Sequence, residues 1–353
     1  MIKKENILFL VGTEYHMLVT LSAVADRYSD PEKYQITIWQ IGTTEKEWFL
    51  GTRQISYPHV SYRIIPVHGK HAALNDTVRR AVRLAERQQY DAYIFFNDVD
   101  LLSVYLARRL KSKGTKVILG PDGMKAYSNI SRIAPRWCLN FAVRYYKFLR
   151  NNKLIDGRGM YWPSLKYAYL KEIDEVWVPF AVHYKNWNSK RVTEVKVMET
   201  PASISLITKF FGFNPSEELP IYEKVIFLVG MPPISPHFEQ MNLHIVSQLR
   251  EKFPEQSLLI KLHPSSGRQQ VLDLEKVGAV LINRPFPAEI YIAQLKDSIV
   301  ASYWSTSSLI NNPSCRFYWL YPILRKETTK LDYMNLINPT SHIVEVDEIG
   351  QIK

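Results

Sequence analysis

The stretch LLIKLHPSSG, residues 258–267, is an apolar run that gives way at once to Lys261, His263 and Pro264. A short apolar run bounded by turn residues predicts a buried strand of a parallel β-sheet. Pro264 fixes the exit of the chain from that strand. Ligands of open parallel sheets bind beyond the carboxyl ends of the strands, so the stretch predicts a candidate site at Lys261 and His263.

Similar apolar runs alternate with helical patterns elsewhere in the chain, which predicts parallel sheets covered by helices on both faces. A length of 353 residues exceeds what one hydrophobic core usually supports, so two domains are expected. A stretch rich in proline and serine, residues 200–222, predicts a linker between domains 1–205 and 206–353. The expected fold class is α/β, with two doubly wound, Rossmann-like domains.

The composition is that of a folded globular protein, with 46% apolar and 22% charged residues. Two cysteines, Cys138 and Cys315, are too few for a disulfide framework or a zinc cluster, which fits a reducing compartment. We expect neither a signal peptide nor a membrane span, because no uninterrupted apolar window of about eighteen residues occurs. The formal net charge of +11 favours anionic partners.

Five places in the sequence directly follow predicted strands and therefore hold the candidate residues. They are residues 12–16 and 121–123 in the first half, and 230–235, 261–264 and 305–308 in the second. Two Rossmann-like units that face each other across a cleft would bring all five together. This arrangement resembles the GT-B glycosyltransferase architecture, in which the second unit usually holds the nucleotide and the first receives the acceptor.

Short motifs in a fixed order resemble those of bacterial GT-B sialyltransferases. They are an acidic residue followed by glycine at Asp122 and Gly123, KLHP at 261–264, Glu289, and STSSL at 305–309. The opening VGTEYHML, residues 11–18, is similar to the first loop of those enzymes. The resemblance spans residues 6–309, and the sequence departs from the family pattern at Pro121, where those families have a first acidic residue.

The resemblance implies transfer of sialic acid from its CMP conjugate, with Asp122 as the general base toward the acceptor hydroxyl. His263 would act as general acid by donating a hydrogen bond or a proton to the leaving CMP phosphate. The alternatives are that Asp122 belongs to an ordinary Asp-Gly turn and that His263 is a structural histidine. The residues expected on the acceptor side are Thr13, His16, Asn97 and Gly123.

The remaining candidates face the donor. Ser307 and Ser308 precede an apolar run predicted to be a helix, where hydroxyls and amides would cradle the phosphate; serines are equally common as helix N-caps. Glu289 is expected near the nucleotide ribose, although a glutamate in a first helical turn also stabilises the helix dipole. Gly230 lets the backbone approach the nucleotide or forms a turn. The donor set is completed by Lys261, Pro264 and Thr306.

The motif Asp98-Val99-Asp100 has the spacing with which GT-A glycosyltransferases hold a divalent metal. It directly precedes a predicted helix, so helix capping is the interpretation that we favour. A CMP-sugar has only one phosphate to neutralise, and Lys261, His263 and the serine hydroxyls could do so. The sequence therefore predicts no metal site and no cofactor.

The segment 132–153 combines cations with the aromatic residues Trp137, Phe141, Tyr145 and Phe148 at helical spacing. This pattern is typical of an amphipathic helix at an anionic bilayer, where each lysine or arginine contributes about 1 kcal/mol. The alternative is a helix whose aromatic stripe packs on its own domain. Aromatic and basic residues together also suit single-stranded nucleic acid, but no nucleic-acid module accompanies them, so no such partner is expected.

The expected function is an inverting, metal-independent transfer of sialic acid from CMP-Neu5Ac to a hydroxyl of a bacterial surface glycan, such as lipooligosaccharide, O-antigen or capsule. The expected partners are the CMP-sugar, a glycan or glycolipid acceptor and an anionic membrane surface. The expected location is the cytoplasm, at the inner face of the bacterial inner membrane. One alternative is a CMP-Kdo-dependent Kdo transferase. Another, suggested by Pro121, is a non-catalytic glycan- or nucleotide-binding protein on the same scaffold.

Overall fold

The computed structural model of the chain describes residues 3–42, 55, 57–66, 74–128, 135–155, 161, 167–185, 189–219, 224–230, 236–263, 266, 268–284, 286–327 and 336–353. The chain forms two compact units, Met1–Phe210 and Phe211–Lys353. Each unit has a parallel β-sheet with helices in the connections between strands. This architecture confirms the α/β fold class predicted from the alternating pattern.

The described part of unit 1 contains a seven-stranded sheet in the order β3-β2-β1-β4-β5-β6-β7, and its strand pairs are parallel. The strands are β1 (Glu5–Val11), β2 (Tyr34–Gly42), β3 (Val60–Pro66), β4 (Ala92–Phe95), β5 (Lys116–Leu119), β6 (Glu175–Val178) and β7 (Arg191–Glu194). The helices are α1 (Glu14–Asp26), α2 (Leu74–Arg87), α3 (Leu101–Lys111), α4 (Pro135–Asn151) and α5 (Pro201–Phe211). Strand β1 lies in the interior of the sheet, between β2 and β4, and its residues Ile7–Val11 are buried, as is typical of parallel strands.

The described part of unit 2 contains a six-stranded parallel sheet in the order β10-β9-β8-β11-β12-β13. The strands are β8 (Val225–Val229), β9 (Ser257–Lys261), β10 (Val280–Ile282), β11 (Ile299–Ser302), β12 (Arg316–Trp319) and β13 (Ile343–Glu345). The helices are α6 (Pro215–Glu218), α7 (Pro236–Lys252), α8 (Arg268–Lys276), α9 (Ala288–Ile292) and α10 (Tyr321–Glu327). Strand β9 ends at Lys261, where the sequence predicted its end.

The strand order reverses beside the first strand of each sheet, and that reversal positions the candidate sites. In unit 1 the chain builds outward from β1 through β2 to β3, then returns to place β4 on the other side of β1. Unit 2 repeats the pattern, with β8 between β9 and β11. The helices that follow strands on either side of a reversal leave a crevice at the carboxyl edge. Each unit therefore offers a crevice between its first and fourth strands.

A buried carboxylate joins β5, β6 and β7, the three strands at one edge of the unit 1 sheet. Glu175 in β6 accepts hydrogen bonds from Trp177 Nε1 at 2.9 Å and from Thr193 Oγ1 at 2.6 Å. It also pairs with Lys116 in β5 at 2.7 Å. Burial alone would raise the pKa of Glu175, but these donors together hold that pKa below its ordinary value. The carboxylate therefore stays ionised and ties β5, β6 and β7 together.

The stretch predicted as a linker, residues 200–222, includes helix α5 and helix α6. Thr200 and Ser203 hydrogen-bond reciprocally across the first turn of α5, since each side-chain oxygen accepts from the backbone N–H of the other residue. Pro201 occupies the first helical position, where proline is favoured. The two compact units divide between Phe210 and Phe211, which lies inside the stretch predicted to join the domains.

Helix α4 corrects the expectation for the aromatic residues of segment 132–153. Phe141, Tyr145 and Phe148 are buried, and the ring of Phe148 contacts that of Tyr105 in α3 at 6.4 Å between centroids. The side chain of Trp137 lies outside the described residues. These three aromatic side chains therefore pack inside unit 1, as the alternative interpretation held, and do not face a lipid surface.

Within the described ranges, no helix is long and apolar enough to cross a membrane.

Candidate functional site

A histidine lies at the crevice of unit 1, in the first turn of α1 directly after β1. The side chain of Thr13 caps this helix by accepting a hydrogen bond from the backbone N–H of His16 at 3.2 Å. Thr13, predicted on the acceptor side, therefore has a structural use as a helix cap. The cap places the His16 side chain, of which only 5% is exposed, beneath the carboxyl end of the sheet.

The hydrogen bonds of His16 define which ring nitrogen carries the proton. The backbone N–H of Gly12 donates to His16 Nδ1 at 3.3 Å, so Nδ1 is an acceptor. Nε2 then carries the proton and donates to Asp122 Oδ1 at 3.1 Å. The imidazole also stacks on the ring of Phe96, with 4.6 Å between centroids and an angle of 11° between planes. The neutral ring is thus held from two sides and directed at Asp122.

The Asp122 carboxylate is both oriented and reachable. Its side chain is 24% exposed, and it makes no capping hydrogen bond to the 3-10 turn Gly123–Tyr127 that follows it. Gly123 has φ of 62°, a left-handed conformation that glycine adopts without strain. Glycine is therefore required by the backbone, whereas the Asp122 carboxylate is not used by the turn. This geometry favours a chemical role for Asp122 over the simple Asp-Gly turn.

A second layer holds the turn that carries Asp122. Lys125 Nζ donates to Asp98 Oδ1 at 2.5 Å, and the backbone N–H of Ala168 donates to Asp98 Oδ2 at 3.0 Å. Asp98 is 1% exposed, so this ion pair is protected from water on the side of the carboxylate. Tyr167 donates to the carbonyl oxygen of Gly120 at 2.5 Å, and burial raises the pKa of Tyr167, which keeps its hydroxyl a donor.

The two aspartates of the Asp-x-Asp motif have different structural roles. Asp100 caps α3 by accepting from the backbone N–H of Ser103 at 2.8 Å, as predicted. The same prediction is wrong for Asp98, whose carboxylate pairs with Lys125. Asn97 accepts from the backbone N–H of Val99 at 2.9 Å, so its side-chain oxygen closes a local turn. Across the described residues, no group of three or more histidine, cysteine, aspartate or glutamate side chains is placed to hold a metal ion.

In unit 2, the ends of β8 and β9 come together through backbone. The N–H of Gly230 donates to the carbonyl oxygen of Lys261 at 2.8 Å. A Cβ at position 230 would lie 2.7 Å from that oxygen and 3.0 Å from the nitrogen of His263. Gly230 is therefore needed for contact with the neighbouring strand. The predicted donor residues Lys261 and His263 are half-buried at this edge, and Pro264 lies outside the described residues.

The serine motif after β11 differs from its prediction. Residues Thr306–Leu309 form one 3-10 turn, so the expected helix is wrong. Phosphate binding by Ser307 and Ser308 stays a prediction. Ser308 Oγ lies 2.5 Å from Ser302 Oγ, and both side chains are buried. Ser305 caps the turn by accepting from the N–H of Ser307 at 3.1 Å and donates to Ser307 Oγ at 2.9 Å. The hydroxyls of Ser307 and Ser308 thus take part in hydrogen bonds within the loop. Thr306 is half-buried.

Glu289, predicted near the ribose, lies in the first turn of α9 and is buried. The N-cap of that helix is Pro287, which makes no side-chain capping bond. A carboxylate at this position interacts favourably with the positive end of the helix dipole, and the role of Glu289 near the ribose stays a prediction.

The sequence model of the alpha-2,8-polysialyltransferase (POLYST) family matches residues 96–315, which is more than half of the chain. The chain belongs to this family. It is a sialyltransferase-like glycosyltransferase, which confirms the family predicted from the motif order. The matched range includes Asp122, Lys261 and His263, whereas Thr13 and His16 precede it.

Solved structures support the same architecture. The GT-B domain of a sialyltransferase from Photobacterium damselae is 10% identical, with a TM-score of 0.52 over 96% of this chain and 99% of that one. A UDP-GlcNAc 2-epimerase from Methanocaldococcus jannaschii is 10% identical, with a TM-score of 0.54 over 97% and 88% of the two chains. At such identities the likeness shows the GT-B fold alone. A comparison with curated protein sequences gave no significant match.

The sequence analysis did not predict four residues that surround His16 and Asp122, namely Phe96, Gly120, Lys125 and Tyr167. A Cβ at Gly120 would lie 2.5 Å from the ring of Phe96, so only glycine lets that ring stack on His16. The sequence did carry a signal for Gly120, because this glycine directly follows a predicted strand. Lys125 and Tyr167 carried none, since their partners are 27 and 47 residues away in sequence.

We predict that Asp98→Asn lowers the free energy of unfolding by about 2–4 kcal/mol, because it leaves Lys125 without its charge partner. The matched control is Asp100→Asn, which should change stability by less than about 0.5 kcal/mol because asparagine is an equally good N-cap. Urea denaturation of both variants measures the difference. Equal midpoints would show that the Asp98 pair does not hold this loop.

Proposed function

We propose that this enzyme transfers sialic acid from CMP-Neu5Ac to a hydroxyl of a bacterial surface glycan, with inversion at the anomeric carbon. The observation that carries the proposal is the Asp122 carboxylate, oriented by His16 Nε2–H and still reachable at the crevice of unit 1. Membership of the alpha-2,8-polysialyltransferase family supports the sugar. Its description also supports an acceptor that ends in sialic acid and an α-2,8 linkage.

The proposed reaction forms one bond and breaks another at the same carbon. The acceptor oxygen attacks the anomeric carbon of the sialyl group as the bond from that carbon to the CMP phosphate oxygen breaks. Asp122 takes the proton of the acceptor hydroxyl, and its Oδ2 is the atom we assign, because Oδ1 accepts from His16. His16 acts through Asp122 and is a positioning residue.

The leaving phosphate is assigned to the end of β9. The Lys261 ammonium balances its negative charge, and His263 donates a hydrogen bond or a proton to the departing oxygen. Lys261 is the last residue of β9 and His263 lies two positions further along the chain, so both are placed at the same end of that strand. Thr306 and Glu289 are assigned to the nucleotide as weaker candidates. In this scheme unit 1 receives the acceptor and unit 2 holds the CMP-sugar.

The proposed place of reaction is the cytoplasm, at the inner face of the bacterial inner membrane, where an acceptor built on lipid meets a soluble donor. The net charge of +11 supports an anionic acceptor or surface.

A donor panel tests the proposal. Purified protein is incubated with CMP-Neu5Ac, CMP-Kdo or UDP-sugars and with acceptors that end in sialic acid or in a neutral sugar, and released nucleotide is measured. We expect turnover with CMP-Neu5Ac and the sialylated acceptor. Turnover with CMP-Kdo alone would make the enzyme a Kdo transferase, and release from UDP-sugars alone would place it in another class of glycosyltransferase.

The acid and base assignments predict that Asp122→Asn and His263→Ala each reduce turnover roughly 100-fold or more, with little change in CMP binding. The matched controls are Asp100→Asn in unit 1 and His244→Ala, an exposed histidine of α7, which should retain turnover. Turnover and CMP affinity are measured separately on each variant. Near-normal turnover of Asp122→Asn would remove Asp122 as the base.

Metal independence is a separate prediction, because we assign phosphate neutralisation to Lys261 and His263. Treatment with EDTA should leave most of the turnover in place, and added Mg²⁺ or Mn²⁺ should not raise it by more than about twofold. Loss of activity in EDTA that Mn²⁺ restores would contradict the assignment and favour metal-assisted departure of the nucleotide.

A further inference from the structure

Helix α4 has a second face that its packing does not explain. Its buried side chains, including Phe141 and Tyr145, face the interior of unit 1, and Arg108 of α3 donates to Tyr145 Oη at 3.5 Å. On the opposite face Leu139, Val143 and Tyr146 are 53%, 43% and 44% exposed. Their spacing of four and then three residues places them in one row along the helix.

The same outer face is strongly basic. Arg136, Arg144, Lys147 and Arg150 are all exposed, and the helix contains no aspartate or glutamate. Helix α4 spans Pro135–Asn151, so four positive charges and three apolar side chains share about five turns. We call these seven residues the α4 outer face.

We propose that the α4 outer face binds the surface of an anionic lipid bilayer. Its cations match the charge of anionic headgroups, and its apolar row matches the boundary between headgroups and acyl chains. An anionic glycan would pair with the cations but would gain nothing from exposed leucine and valine side chains. The presence of both cations and exposed apolar side chains therefore favours a lipid surface. The residues that would contact lipid are those of the α4 outer face and not the aromatic residues Phe141, Tyr145 and Phe148, which are buried.

This inference rests on the proposed place of reaction at the membrane, but it is tested without turnover. Binding of the full chain is measured by sedimentation with vesicles of phosphatidylglycerol and phosphatidylethanolamine, and with neutral phosphatidylcholine vesicles. We expect binding to the anionic vesicles only. Absence of binding to them at low salt would overturn the proposal, whatever the enzyme does with CMP-Neu5Ac.

Two variants separate the charged and apolar parts of the surface. Replacing its four cations by glutamine should weaken binding roughly 10- to 600-fold, since each cation near an anionic bilayer raises affinity by up to roughly fivefold. Replacing its three apolar residues by glutamine should weaken binding roughly tenfold or more and should make the remaining binding more sensitive to salt, because apolar insertion is not screened.

A matched control removes four exposed cations from unit 2: Lys276, Lys296, Arg316 and Lys353, each replaced by glutamine. It loses the same net charge and should bind like the wild type. Equal weakening in this control would mean that overall charge, not the α4 outer face, drives binding, and would overturn the proposal.

A gain-of-binding variant keeps the test independent of folding defects. Asn140 is exposed on α4, and Asn140→Lys should tighten binding to anionic vesicles roughly fivefold.

Soluble polysialic acid is added as a competitor in a final measurement. Displacement by this polymer, together with wild-type binding of the apolar variant, would assign the surface to an anionic glycan and refute lipid binding.

Discussion

The buried ion pair between Asp98 and Lys125 is the interaction on which the site of unit 1 depends. Asp98 follows β4 and Lys125 lies in the turn after β5, so the pair fixes two neighbouring strand ends relative to each other. A buried carboxylate without its partner is costly, and the turn therefore has one favourable position. That position brings Asp122 within hydrogen-bonding distance of His16, which belongs to a third segment of the chain.

Unit 2 reaches a comparable edge by different means. Its strand ends are joined by backbone contact at Gly230 and by serine hydroxyls around Ser302, with no buried ion pair among the contacts described at that edge. Lys261 and His263 are half-buried at this edge. The proposed function assigns them to the leaving phosphate and assigns the Asp122 carboxylate of unit 1 to the acceptor proton. This division of charge suits a reaction in which a proton leaves one reactant and a negative phosphate leaves the other.

The sequence predicted the parallel strands, their ends and the order of motifs, because long apolar runs and turn residues are local signals. It predicted Asp122 at a strand end but could not show that His16 would orient it, since that contact joins residues 106 positions apart. It missed the 3-10 turn at the serine motif and the helices α5 and α6 within residues 200–222, although the two units do divide inside that stretch. Serine, threonine and proline serve loops and helix starts alike, and only packing decides between them.

The central position of β1 also has a consequence for synthesis of the chain. Ile7 of β1 pairs with Ala92 of β4, so 85 residues separate the two partners. At translation rates of 5–20 residues per second, one edge of this apolar strand waits about 4–17 s for its neighbour. An unpaired apolar edge is a template for aggregation. Until β4 leaves the ribosome, this edge of β1 therefore lacks its partner strand and is open to aggregation.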